Sequence, residues 1–153
     1  MITHDRLCEL LAYSPATGVF TARHNRRKWV AGKEVGTTNS HGYRQISIDG
    51  KIYLAHRLAW LWATGKWPST GLDHINRQRD DNRILNLREA TQAQNLQNRK
   101  AAGCYFHKVN RNWVAQIKVN QKVQHIGVFA TKEEATAAYQ AAKKVIHTFH
   151  PAD

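Results

Sequence analysis

Residues 72–98 read Leu72-Asp73-His74-Ile75-Asn76-Arg77-Gln78-Arg79-Asp80-Asp81-Asn82-Arg83-Ile84-Leu85-Asn86-Leu87-Arg88-Glu89-Ala90-Thr91-Gln92-Ala93-Gln94-Asn95-Leu96-Gln97-Asn98. Acids, an imidazole and several carboxamides crowd a stretch with few apolar residues, and a hydrophobic core has little use for such a set. The pattern predicts a short strand at Asp73–Ile75, a polar loop from Arg77 to Leu85, and a second short strand at Leu87–Ala90. Thr91 then caps a helix running to about Arg99. On that helix Asn95 and Asn98 are three apart and Thr91 and Asn95 four apart, so the three are expected on neighbouring positions of one face.

Outward from this stretch, the N-terminal side reads as a small mixed domain. Thr3 is placed to cap a helix carrying Leu7, Leu10 and Leu11, closed by Tyr13 and Pro15. Val19–Ala22 is a strand candidate, and the basic run from Arg23 to Lys28 a loop. That run reads equally as a solvated charge cluster and as a phosphate contact. Alternating apolar residues on both sides of Asp49-Gly50 predict a β-hairpin. Ala55 to Thr64 follows as an apolar helix ending at Gly65, and Trp60, Trp62 and Trp67 are expected in the core. His56 and Arg57, at the start of this helix, are candidates to face a phosphate or the polar stretch.

The C-terminal third alternates cleanly. Tyr105–Val109, Trp113–Val119 and Val123–Phe129 predict three antiparallel strands, and Thr131 with Glu134 predicts a capping box for one helix on a single face of the sheet.

The totals constrain what such a chain does. Its 153 residues suit one domain or two small ones, and a formal charge of +12 with a pI near 10.1 points first to nucleic acid as partner and second to an anionic surface. No apolar run is long enough to span a membrane, and the N-terminus lacks the layout of a signal peptide. Two distant cysteines, Cys8 and Cys104, offer neither a disulfide framework nor a zinc cluster, which suits a reducing cytoplasm.

The central stretch suits phosphodiester cleavage. That reaction needs an activated water, charge neutralised on the phosphate and help for the departing oxygen. A neutral imidazole can supply the first and a divalent cation the others. Oxygen ligands from Asp and Asn favour one hard cation, Mg²⁺ with Mn²⁺ as substitute, over zinc. One geometric demand follows: Asp73 and His74 are neighbours, and ideal strand neighbours point to opposite faces. The strand must end, twist or bulge there, or the cation must sit at its edge.

Asp73-His74-Ile75-Asn76, Asp81-Asn82-Arg83, Asn86-Leu87-Arg88, Gln94-Asn95 and Asn98-Arg99 resemble the HNH endonucleases of the His-Me finger, or ββα-metal, group. The upstream His56-Arg57-Leu58-Ala59-Trp60 and Gly65–Pro68 look like the version found in phage homing and free-standing nicking enzymes. The resemblance implies an α+β fold with a ββα-metal core at about residues 71–99, inside a nuclease domain of residues 1–100 with its own N-terminal antiparallel sheet. It implies His74 as general base, Asp73 and Asn95 as holders of the divalent cation, and Asn86 as the group that bonds the other imidazole nitrogen. Arg77 stands where relatives often carry Gly, which brings the tight turn of the loop into question. With Arg83, Arg99 and Lys100 it would line the path of the DNA.

Gly103-Cys104-Tyr105, Trp113–Lys118, His125–Phe129, Glu133–Ala135 and Ala138-Tyr139 resemble the APETALA2-type DNA-binding domain, over residues 103–150. That likeness implies a three-stranded sheet entering the major groove of double-stranded DNA, with His107, Lys108, Arg111, Trp113, Gln116, Lys118 and His125 as contacts. The expectation is a metal-dependent DNA endonuclease of nicking or homing type. It would act as a monomer with no obligate protein partner, in the cytoplasm of a bacterial host if phage-encoded. The alternative is a DNA-binding regulator that keeps the HNH shape without cutting.

Overall fold

A computed structural model describes residues 1–99, 101–119, 122–147 and 149. The chain divides into two compact units, residues 1–95 and residues 96–150.

The first unit opens with α1 (His4–Leu10), where the Thr3 hydroxyl accepts the Arg6 N–H and Leu7 and Leu10 are buried. The helix stops one residue short of the expected Leu11. Leu11–Ser14 is instead strand β1, paired antiparallel with β2 (Val19–Ala22). Leu11 and Tyr13 both turn inward while Ala12 and Ser14 are half-exposed, so a period of two prevails once the Pro15–Gly18 turn brings the chain back. Short β3 (Thr37–Thr38), β4 (Arg44–Ile48) and β5 (Lys51–Leu54) form a three-stranded antiparallel sheet in that order. The Asp49-Gly50 turn joins β4 to β5 with φ of 48° and 78°, the left-handed pair that two-residue hairpins favour.

Helix α2 (Ala55–Thr64) follows at the expected place and ends on Gly65 at φ 73°. It buries Ala55, Leu58, Ala59 and Leu61 in one core with Leu7, Leu11, Phe20, Ile46 and Ile48, and Trp60, Trp62 and Trp67 pack against that core as expected. Strands β6 (Gly71–His74) and β7 (Leu87–Ala90) form a separate antiparallel pair, and a 3-10 turn, Ile84–Asn86, leads into β7. Helix α3 (Gln92–Asn98) comes next and spans the division between the units. Strand, loop, strand and helix thus succeed one another as the sequence suggests.

In the second unit, β8 (Cys104–His107), β9 (Asn112–Val119) and β10 (Lys122–Phe129) form an antiparallel sheet in the order β10-β9-β8. Val109, expected in a strand, lies in the turn and is exposed. Helix α4 (Lys132–Ile146) starts on the expected capping box, Thr131 with Glu134, and turns Ala135, Tyr139 and Lys143 inward at four-residue intervals. Ala115 and Ile117 of β9 are buried, and Cys104 Sγ of β8 lies 3.4 Å from Thr136 Oγ1 of α4, which marks this as the face the helix covers. A one-residue irregularity between His125 and Gly127 interrupts the β9–β10 register.

No helix among the described residues is long and apolar enough to cross a membrane. Both cysteines are free thiols.

Gly18 ties the first unit together. Its φ is 75°, and a Cβ added there would lie 2.5 Å from the Arg83 nitrogen and 2.6 Å from the Asn82 carbonyl carbon. The β1–β2 turn therefore rests directly on the loop between β6 and β7. Gly18→Ala is expected to lower unfolding free energy by about 2–4 kcal/mol, from left-handed strain plus the backbone clash, read by chemical denaturation.

Candidate active site

Asp73 and His74 end β6, and both are buried, at 6% and 5% exposure. The ladder runs without a bulge, pairing Asp73 with Arg88 and His74 with Leu87. The strand ends at His74, but with both residues in a regular ladder the ordinary alternation holds and their side chains leave on opposite faces. The two side chains keep separate company. Asp73 accepts two N–H bonds on Oδ2 from its cross-strand partner, from Arg88 Nε at 3.1 Å and Nη2 at 2.9 Å. His74 joins a cluster of rings, 5.0 Å from His56 edge-on and 5.9 Å from Tyr43, with Tyr43 and His56 5.4 Å apart.

The polar partner of the imidazole is Asn82, which is 1% exposed. Its Nδ2 donates to the Asp80 carbonyl at 2.9 Å, which turns its Oδ1 toward His74 Nε2 at 3.4 Å. An amide oxygen only accepts, so this orientation places the imidazole proton on Nε2 and the lone pair on Nδ1. Tyr13 holds the same residue from the other side, its hydroxyl donating to the Asn82 carbonyl at 2.6 Å, and burial pushes the Tyr13 pKa up to about 12.

Asn86 differs from its expected role. Its Oδ1 accepts the Asn76 N–H at 3.0 Å and its Nδ2 donates to the Asp81 carbonyl at 2.8 Å, so it staples the two ends of the loop and does not bond the imidazole. A carboxamide that closes a ten-residue loop has both ends spent on backbone. Asn95, expected across from Asp73, is exposed on α3 and makes no side-chain hydrogen bond to it; Asn98, expected on the same face, is buried.

The loop cations divide. Arg83 forks onto Asp81 at 2.6 and 2.8 Å and holds that carboxyl down to about 2, so its guanidinium is engaged within the loop. Arg77 is exposed at φ 66° and its N–H donates to the His74 carbonyl at 2.9 Å. The tight turn is therefore made with Arg in the conformation that a glycine would take at less cost. Arg99 is exposed, and Lys100 lies outside the described residues.

In the second unit, strand pairing sorts the remaining candidates. Gln116, Lys118 and His125 share the face opposite α4 with His107, and Lys108 and Arg111 lie exposed in the β8–β9 turn. Trp113 departs from the expectation. It shares the helix-covered face with Ala115, lies 5.4 Å from Phe106 and has Lys132 Nζ 5.8 Å above its ring, because odd positions of β9 face α4.

Sequence reasoning left His56 open and gave Asn82 no firm role, yet these two flank the imidazole. The signal available for His56 was its place on the first turn of an apolar helix, where burial leaves a neutral ring. Burial first, then the nearby His74 and Arg57, push its pKa down to about 3. Burial also lowers that of His74, against opposing contributions from Asn82, from its neighbour Asp73 and from the loop acids Asp81 and Asp80.

Among the described residues no three His, Cys, Asp or Glu side chains cluster to hold a metal. A carboxylate at Asp73 and a carboxamide at Asn95 are hard oxygen donors, which suit a cation whose remaining ligands are water and phosphate.

Residues 53–97 match the protein family described as HNH endonuclease, and this span takes in His56, Asp73, His74, Asn82, Asn86 and Asn95. The match supports an endonuclease. One solved structure, described as DNA binding and cleavage by the HNH homing endonuclease I-HmuI, is similar at 25% identity and a TM-score of 0.42, over 57% of this chain and 49% of that one. The alignment thus spans about half the length of that protein. No curated protein matches the chain.

Two measurements follow from this geometry. Asn82→Ala is expected to release the Nε2–H preference of His74, seen as convergence of its two imidazole ¹⁵N shifts. The pH dependence of stability follows from His56. Its folded value of about 3 lies below the ordinary 6.5, so the unfolded chain binds a proton that the folded one refuses. Unfolding free energy therefore falls as pH drops from about 6.5 towards 3, by up to about 1.4 kcal/mol per pH unit from this group. His56→Phe should flatten that limb in denaturation curves.

Proposed function

We propose that the protein is a metal-dependent DNA endonuclease that hydrolyses phosphodiester bonds, with a preference for nicking. The observation that carries this reading is a buried imidazole faced by a carboxamide, next in sequence to a buried carboxylate within a segment that matches the HNH endonuclease family. His74 acts as general base through Nδ1, taking a proton from the attacking water, while Asn82 keeps the other nitrogen protonated. Asp73 and Asn95 would hold one divalent cation, Mg²⁺ or Mn²⁺. When bound, such a cation neutralises charge on the phosphate and eases departure of the leaving oxygen. Engaging it requires Asp73 to share its carboxylate with Arg88.

The second unit presents DNA, in the manner of an APETALA2-type domain. Its open sheet face carries His107, Gln116, Lys118 and His125 beside the exposed Lys108 and Arg111. A net charge of +12 supports a polyanion as partner. One site per chain, acting as a monomer, accounts for single-strand cutting.

Supercoiled plasmid incubated with Mg²⁺ is expected to become nicked, and EDTA to stop it. His74→Ala should slow cleavage by about 10²–10⁴-fold while DNA affinity in a gel shift stays within a few-fold. Binding without any cleavage by the unaltered protein would favour a regulator instead.

A further inference from the structure

The basic run Arg23–Lys28 is untouched by the proposed chemistry, and the fold gives it a definite place. Arg26 pairs with Trp29 in a small β-bridge, which folds Arg27 and Lys28 into the turn between them. This turn and the Asp49-Gly50 hairpin tip enclose a cleft of about 370 Å³, also lined by Ser47. That volume is within the range of small-ligand sites.

The charges in the cleft are not alike. Arg26 is fixed, with Nη2 2.9 Å from Asp49 Oδ1 and its guanidinium 5.7 Å from the Trp29 ring centroid. Arg6 takes the other Asp49 oxygen at 3.3 Å, so the one acid in the cleft is neutralised by two guanidiniums. Arg27 and Lys28 are exposed and have no hydrogen bond, ion pair or ring contact among the described residues. The other arginines of residues 1–95 are engaged: with carboxylates in Arg6, Arg26, Arg44, Arg83 and Arg88, and otherwise with carbonyls or rings, or among the residues holding further contacts. Within residues 1–95, where the other guanidiniums are engaged, Arg27 stands without a partner among the described residues, lining a cleft with an indole wall.

We infer that this cleft is a phosphate-ester site that seats the backbone of a DNA strand, with Arg27 and Lys28 on the phosphate and the sugar or base against Trp29. Tyr43 packs on His74 at one end of β4 and Asp49 closes the other, about 20 Å away at strand spacing. At 3.4 Å per base pair that is roughly six base pairs, the length a duplex would cover if it ran from His74 along β4 to the cleft. The choice of DNA over a free nucleotide rests on the proposed nuclease reading; binding in EDTA involves neither metal nor cleavage, so either can fail without the other.

The full chain in EDTA is titrated with a fluorescent 30-base-pair duplex across a salt series, and the Trp29 indole N–H is followed by NMR with duplex, with AMP and with inorganic phosphate. Arg27→Ala/Lys28→Ala should make the slope of log affinity against log salt shallower by roughly two, and abolish the Trp29 response to duplex. Lys33→Ala/Lys66→Ala, with the same charge loss elsewhere, should change neither. An unchanged slope with a Trp29 response to AMP would overturn DNA as the occupant in favour of a free nucleotide. An unchanged slope and a silent Trp29 signal with every ligand would overturn the site itself.

Discussion

Three restraints converge on Asn82. Its amide nitrogen is held by the Asp80 carbonyl, its own carbonyl by the Tyr13 hydroxyl, and its backbone is pressed by a glycine turn. Only then can its amide oxygen meet an imidazole with one orientation. A buried carboxamide left unpaired at either end costs about 1–3 kcal/mol, so the loop, the hairpin and the histidine stand or fall together. The N-terminal hairpin, which carries none of the proposed chemistry, is thereby a structural part of the site.

The neighbours Asp73 and His74 show how a short strand serves two purposes. Arg88 lies directly across the ladder from Asp73, so a buried carboxylate is compensated by its own cross-strand partner. His74, at the strand's last residue, enters the aromatic cluster formed with Tyr43 and His56 from β4 and α2. Removing one partner of a buried ion pair is far costlier than the pair is worth, which binds Arg88 to Asp73 in any substitution. The arrangement keeps acid and imidazole adjacent in sequence while giving each its own surroundings.

Much of this was legible in the residues. Period-two alternation located the Asp49-Gly50 hairpin and the C-terminal sheet, and the capping box fixed the start of α4, because each signal is local. Leu11 was misassigned to a helix because leucines at positions 7, 10 and 11 satisfy helical spacing, and only pairing with β2 reveals the strand. The carboxamides were harder still. Asn82 and Asn86 are four residues apart in one loop and chemically identical, and which of them reaches the imidazole depends on how the loop folds back. Trp113 was placed among DNA contacts by likeness, whereas strand parity puts it under Lys132.

The irregularity between His125 and Gly127 has a consequence for how copies of this protein meet. Strand β10 is an edge of its sheet, with Val123 and Val128 exposed along it. An uninterrupted edge of that kind offers a row of unpaired backbone groups to any passing strand. The extra residue breaks that row and sharpens the local twist, and Lys122 sets a charge at its start. A strand from another copy would thus meet an edge whose backbone row is broken partway along, a poor template for extending the sheet.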